Sequence, residues 1–198
     1  MGYKIKKEIA FKKFVNYILC SNSRIFSARS IHKYMKNDFP DLALSTVVRF
    51  INWLKDAYII DEIPQYSAKT KNELHYYGKL YNCDVCFNSL RANNNRYDLD
   101  HNLENVVYNE LLYRGYELKV FTNNGKEIDF LASKENRTYY IQVAYSVADE
   151  KAYEREMSAF DKLDNRNQKI LITNDIVDYS TSTVKHIKLE DFLLMDEL

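Results

Sequence analysis

Two short β-type runs, Glu127 to Ser133 and Thr138 to Val147, constrain this chain more than any other feature. They are rich in Ile, Val, Phe and Tyr and are parted by the turn Lys134-Glu-Asn-Arg137, so they predict neighbouring strands. A third run, Tyr116 to Phe121, precedes them across Asn123-Asn-Gly125, a hairpin-turn sequence. Ahead of these strands, residues 100–114 predict a helix with Leu103, Val106, Val107, Leu111 and Leu112 on its inner stripe and Gly115 in the C′ position. After them come a charged helix over 149–163, strands over Lys169 to Thr173 and Val184 to Leu189, and a short helix from Glu190. The order αβββαβ predicts a mixed α/β (α+β) domain around a small sheet.

The first half reads differently. Residues 5–20 carry Ile5, Ile9, Phe14, Ile18 and Leu19 at helical spacing. Ser27 is placed to cap a second helix through Met35, and Ser45 a third over 46–57. Two β-type runs follow, Tyr58 to Tyr66 and Glu73 to Tyr81, joined by the polar turn Ser67 to Asn72. Three helices and then a hairpin is the order of a winged helix-turn-helix. Residues 83–99 read as irregular, and Arg91-Ala-Asn-Asn-Asn-Arg96 is the linker candidate. The expected division is a winged-helix domain over 1–88 and a second domain over 89–198.

Composition narrows the setting. Lys plus Arg (28) balance Asp plus Glu (28), so no global basic field points to nucleic acid, and any such binding needs a local patch. Three cysteines are too few for a disulfide framework. Cys83-Asp-Val-Cys86 lacks a second pair at zinc spacing. The start of the chain is charged, with no signal-type apolar run and no membrane-length segment. A reducing, cytoplasmic setting without membrane contact is expected.

The polar residues inside the strand runs carry the chemistry. Side chains two apart on a strand share a face, which aligns Glu127 with Asp129 and Gln142 with Ala144. A magnesium-dependent phosphodiesterase site needs one acid on a helix, one on a strand, and an acid-x-lysine on the next strand. Asp129 fits the strand acid and Glu104 the helix acid, and these two are the expected metal ligands. Gln142-Val-Ala144 takes the third place with a neutral amide and no lysine. Lys119 and Lys151 are the candidate replacements for the missing base. Glu127 is expected to be a polar strand-face residue, and Asp149 to Glu156 a solvated helix surface with i,i+4 pairs.

Three further blocks carry a resemblance: Leu103 to Glu117 (LENVVYNELLYRGYE), Gly125-Lys-Glu-Ile-Asp-Phe130, and Tyr140-Ile-Gln-Val-Ala-Tyr-Ser146. With Ser27 to Tyr34 and Trp53 to Tyr58, they resemble the C-terminal part of a prokaryotic group of AAA-type ATPases. In that group a winged helix and a domain of unknown function follow the ATPase. The last domain is similar to the PD-(D/E)XK restriction-endonuclease-like superfamily, often with an eroded motif. The resemblance implies Glu104, Asp129 and Gln142 as the nuclease-type positions, with Mg²⁺ as the metal. It also implies an ATPase module as partner in the parent architecture. No Gly-x-x-x-x-Gly-Lys-Ser/Thr phosphate loop occurs here, so ATP hydrolysis is not expected of this chain.

On the winged helix, Ser45, Thr46, Arg49, Asn52 and Lys55 line the polar side of the third helix, and Lys69 and Lys71 tip the wing. These form the candidate duplex-binding surface. The leading expectation is a recognition portion that binds DNA or a partner protein beside a nuclease-like domain impaired in cutting. The competing expectations are an active Mg²⁺-dependent endonuclease and a self-associating protein-interaction module.

Overall fold

The computed structural model describes residues 8–67, 72–91, 98–123 and 125–198. It is mixed α/β, with seven α-helices and eight strands among the described residues. The chain divides into two compact units, Met1–Glu62 with Tyr76–Tyr97 and Ile63–His75 with Asp98–Leu198.

The first unit carries α1 (Glu8–Leu19), β1 (Arg24–Phe26), α2 (Ala28–Lys36), α3 (Leu44–Asp56), the start of β2 (Ile60–Ser67), the end of β3 (Asn72–Asn82), and α4 (Cys86–Arg91). Its core is Phe14 and Ile18 of α1, Ile31 and Met35 of α2, and Phe50 and Leu54 of α3. Burial of these apolar faces is what holds three short helices that would be marginal alone. Ser27 caps α2 as expected: its hydroxyl accepts the Ser30 N–H at 3.1 Å, and the Ser30 hydroxyl accepts the Ser27 N–H at 3.2 Å.

Ser45 does not cap α3. The helix begins at Leu44, with Ala43 at the N-cap and no side-chain cap bond, so Ser45 sits inside the first turn. Two elements lie outside the sequence expectation. β1 is three residues long and pairs antiparallel with β3, Arg24 opposite Leu80. α4 occupies part of the stretch read as irregular. The expected turn over 67–72 and linker over 91–96 fall largely on residues 68–71 and 92–97, outside the described residues.

The second unit begins with α5 (Leu99–Tyr113). Gly115 follows its C-cap residue Arg114 at φ +80, a left-handed conformation glycine adopts without a Cβ clash. Then come β4 (Glu117–Asn123), β5 (Lys126–Lys134), β6 (Arg137–Val143), α6 (Glu150–Met157) with a 3₁₀ turn over Ser158–Phe160, β7 (Gln168–Thr173), β8 (Val184–Lys188) and α7 (Leu189–Leu194). The strand order in this unit is β2-β4-β5-β6-β7-β8. β4, β5 and β6 run antiparallel. β6, β7 and β8 run parallel, as β2 does to β4.

Phe121, Ile128, Tyr140, Leu171 and Val184 form one core with Ala159 and Phe160 beyond α6. Phe130 instead meets Tyr108 of α5, ring centroids 6.3 Å apart. α7 is tied to α5 by Arg114, whose Nη2 donates to the Phe192 carbonyl at 2.7 Å while Nε donates to Glu110 at 2.7 Å.

β5 is irregular where the site forms. Lys119 faces Leu131 and Phe121 faces Ile128, so two steps on β4 match three on β5. One extra residue sits on β5 between Ile128 and Leu131, which is a β-bulge. Ile128 and Leu131 accordingly join the same core cluster although they are three apart. The strict two-residue alternation expected of Glu127 and Asp129 therefore does not run through this stretch.

Candidate functional site

The site grows out of the β5–β6 ladder. Regular pairing ends at Phe130 opposite Ile141. Beyond that point side chains take over the backbone bonds. The Asp129 N–H donates to the Gln142 side-chain carbonyl at 3.3 Å, and the Val143 N–H donates to Asp129 Oδ2 at 2.9 Å. Asp129 and Gln142 are both buried. A buried backbone N–H without an acceptor costs about 1–3 kcal/mol, and each of these side chains removes one such cost. Asp and Gln at these two positions thus close the ladder where the bulge opens it.

Gln142 is used at its other end as well. Its Nε2 donates to Glu156 Oε2 at 2.6 Å. Glu156 lies on α6 and is 6% exposed, not the solvated helix surface expected from its charged neighbours. Its second oxygen accepts both Nε and Nη2 of Arg155, each at 2.7 Å. The Glu156 carboxylate, and beyond it Asp100 and Asp129, hold the Arg155 guanidinium above its ordinary pKa. No i,i+4 ion pair within α6 occurs among the described residues; the bonded pair is Arg155 with its neighbour Glu156.

Asp100, in the first turn of α5, accepts the Tyr145 N–H at 2.8 Å just past β6. Glu104 follows one turn later on the buried side of α5 with Leu103, Val107, Tyr108 and Leu111. So the structure joins Asp129 to Gln142 directly, sets Glu104 inside α5, and adds Glu156 and Arg155, which sequence reasoning missed. Ala144 has left the strand, its N–H donating to the Ile172 carbonyl at 3.1 Å. The expected substitutes for the absent lysine are engaged or turned to solvent: Lys119 lies over the Tyr66 ring at 5.9 Å, and Lys151 is exposed. Arg155 is a cation that reaches one of these acids, Glu156.

Magnesium, the metal expected at Glu104 and Asp129, asks for a particular arrangement of ligands. Mg²⁺ requires near-octahedral hard oxygen ligands. Here the Gln142 amide is bonded at both ends and Glu156 is held by a guanidinium. Among the described residues no group of three or more His, Cys, Asp or Glu side chains is arranged to hold a metal ion.

A structural lock has a distinct mutational signature. Asp129→Ala is expected to lower the unfolding free energy by about 1–3 kcal/mol, because the Val143 N–H loses its acceptor. Asp129→Asn keeps an amide oxygen for that bond and is expected to stay near the parent stability. Urea denaturation of the two variants checks the pair.

A second polar network follows β7. Asp175 accepts from the Ser146 hydroxyl at 2.6 Å, the Val147 N–H at 2.7 Å and the Thr173 hydroxyl at 3.2 Å. Burial works against its charge, but these donors outweigh it and hold the carboxyl below its ordinary value. Thr173 Oγ1 lies 2.9 Å from His186 Nε2, and His186 Nδ1 accepts the Tyr179 N–H at 3.3 Å, which assigns the neutral Nε2–H tautomer.

Burial pushes the His186 imidazole below its ordinary pKa against the pull of Asp178 and Asp175. The unfolded chain therefore binds this proton more tightly. The stability involved is fully present above about pH 6.5, the unfolded value, and drains as pH falls through the folded one. His186→Gln is expected to flatten the decline in stability just below pH ~6.5. Denaturation midpoints taken at successive pH values read this directly.

In the first unit, Ser45, Arg49 and Asn52 are exposed on α3 and Thr46 is half-buried. Arg49 Nη2 donates to Thr46 Oγ1 at 3.3 Å. Lys55 is half-buried and paired with Glu62 at 2.7 Å, so its charge is already countered. Lys69 and Lys71 lie outside the described residues. Among the described residues Cys20, Cys83 and Cys86 form no disulfide.

Residues 100–192 match the model of a domain of unknown function, DUF4143. The chain is 32% identical over 183 residues to an uncharacterized protein of Methanocaldococcus jannaschii, covering 87% of this chain and 38% of that protein. It is 25% identical over 169 residues to an uncharacterized protein of Haemophilus influenzae, covering 85% of this chain and 42% of that protein. The chain thus spans about two fifths of the length of these curated relatives. No solved structure matches it. No helix among the described residues is long and apolar enough to cross a membrane.

Proposed function

We propose that this chain is the C-terminal recognition portion of an AAA-type ATPase: a winged helix that binds nucleic acid, joined to a PD-(D/E)XK-like domain that no longer cuts. The DUF4143 match supports the ATPase connection, since that domain commonly stands at the C-terminus of such proteins. The helix–strand order of the first unit, with Arg49 exposed on α3, supports the winged-helix reading.

The observation that carries the loss of cutting is the state of Gln142. A nuclease needs that position to present oxygen to a metal and the one two residues on to present a cation. Here the Gln142 amide bonds Asp129 and Glu156 at 3.3 and 2.6 Å, and residue 144 is alanine. Asp129 has become a strand-closing group with Gln142, and Glu156 of α6, which accepts from Gln142, is balanced by Arg155.

Duplex binding followed by fluorescence anisotropy tests the recognition role. The expected result is salt-sensitive binding, weakened by Arg49→Ala and untouched by Asp129→Asn. Self-association without duplex binding would instead favour a protein-interaction module.

A further inference from the structure

The charges of the first unit are not evenly paired. On α1, Lys12 bonds Glu8 at 2.7 Å and Lys13 bonds Asp38. Near the end of α3, Lys55 bonds Glu62 at 2.7 Å. α2 is different. Its sequence, ARSIHKYMK, holds no acid, and Arg29, Lys33 and Lys36 are all exposed. Among the described residues none of the three is paired with a carboxylate. Spaced i, i+4 and i+7, they form a single stripe. That stripe lies opposite Ile31 and Met35, which are buried in the core, so it faces solvent for the whole length of the helix. The acid that follows the helix, Asp38, is already engaged by Lys13.

We propose that this stripe on α2 is the principal phosphate-contacting surface of the unit, and that its partner is the sugar–phosphate backbone of a nucleic acid duplex. This inference rests on the nucleic-acid reading given above and moves the main electrostatic contact from α3 to α2. A rise of 1.5 Å per residue puts Arg29 and Lys36 about 10 Å apart along the axis. A duplex presents one phosphate charge per about 1.7 Å of axis, so three cations on this length meet a dense row of anions. Arg offers a planar fork to a phosphate, and Lys a compact charge on a flexible stem. Such contacts fix position and carry no sequence information. Base reading is left to the exposed polar side of α3, where Ser45, Arg49 and Asn52 stand.

The α2 surface is rigidly presented. The Ser27–Ser30 capping box fixes its start. His32, on its flank, is bonded through Nε2 to the Leu42 carbonyl at 2.7 Å, which ties α2 to the segment leading into α3. Tyr34 stacks on Tyr17 of α1, ring centroids 4.4 Å apart.

The test is the salt dependence of binding to a short mixed-sequence duplex, measured on the full chain and on a triple variant, Arg29→Gln with Lys33→Gln and Lys36→Gln. Each phosphate contact adds about 0.9 to the slope of log affinity against log salt. The triple variant is expected to show a slope shallower by about 2.7, which is about 40-fold less affinity lost between 50 and 200 mM salt. A charge-keeping variant, Arg29→Lys with Lys33→Arg and Lys36→Arg, is expected to retain the parent slope. Matching circular dichroism melts keep a folding defect from counting as a binding defect. A parent-like slope in the triple variant, with Arg49→Ala still weakening binding, overturns the α2 assignment and leaves the recognition reading standing. A parent chain with no salt-sensitive duplex binding overturns both.

Discussion

Gln142→Glu, which places an acid where the sequence resemblance implies a nuclease-type position, is expected to destabilise the chain by about 3 kcal/mol at neutral pH. Gln142 is 8% exposed and its Nε2 sits 2.6 Å from Glu156 Oε2. A carboxylate there would face a carboxylate at hydrogen-bond distance. Like charges so placed cannot both stay ionised, so one would take up a proton. The pKa of the new group would rise above its unfolded value of about 4.3. Stability linked to a raised acid pKa is present below the unfolded value and is lost as pH rises through the folded one. The gap between variant and parent is therefore widest near pH ~7 and closes as pH falls toward about 4. Guanidinium denaturation across that range measures it. A Gln142→Glu protein as stable as the parent at neutral pH, and stabilised further by Mg²⁺, would mean that the site accepts a cation after all.

Phe130→Ala is expected to cost about 3–5 kcal/mol, the range for truncating a fully buried aromatic side chain. Phe130 is 0% exposed and packs against Tyr108 of α5. Its neighbour Asp129 holds the Val143 N–H from inside the bulge. Emptying the Phe130 position removes the packing that seats this part of β5 against α5. The loss should thus exceed that of Asp129→Ala, which removes one acceptor and little volume. Calorimetric melting of the two variants gives the order. Equal losses would mean that hydrogen bonding, not packing, dominates here.

The α5–β4–β5–β6 order and the closing β7, β8 and α7 were legible because each run keeps a clean period and ends on a readable turn. Gly115, at φ +80, is one such stop. Asp129 was legible as a constrained residue because an acid inside an apolar strand is costly unless paired or metal-bound, and the sequence grouped it with Glu104 and Gln142. That Asp129 and Gln142 take the backbone N–H groups of Val143 and Asp129 was not legible. The β5 bulge depends on pairing with β4, and no local pattern announces it. Glu156 was hidden for another reason. Glu150, Lys151, Glu154, Arg155 and Glu156 all fall on α6, and nothing in that run says which one turns inward; Met157 and Tyr153 pack on the core cluster beside it. Ser45 misled because it is a good cap residue one position inside the helix. β1 was too short to carry a period at all.

We propose that Asp129, with Gln142, now holds strands together in the second unit and takes no part in cutting nucleic acid. The direct measurement is supercoiled plasmid incubated with the full chain at high concentration in Mg²⁺ or Mn²⁺. The predicted result is plasmid that stays supercoiled, with the parent and the Asp129→Asn variant indistinguishable. Metal-dependent nicking by the parent that disappears in Asp129→Asn would contradict it.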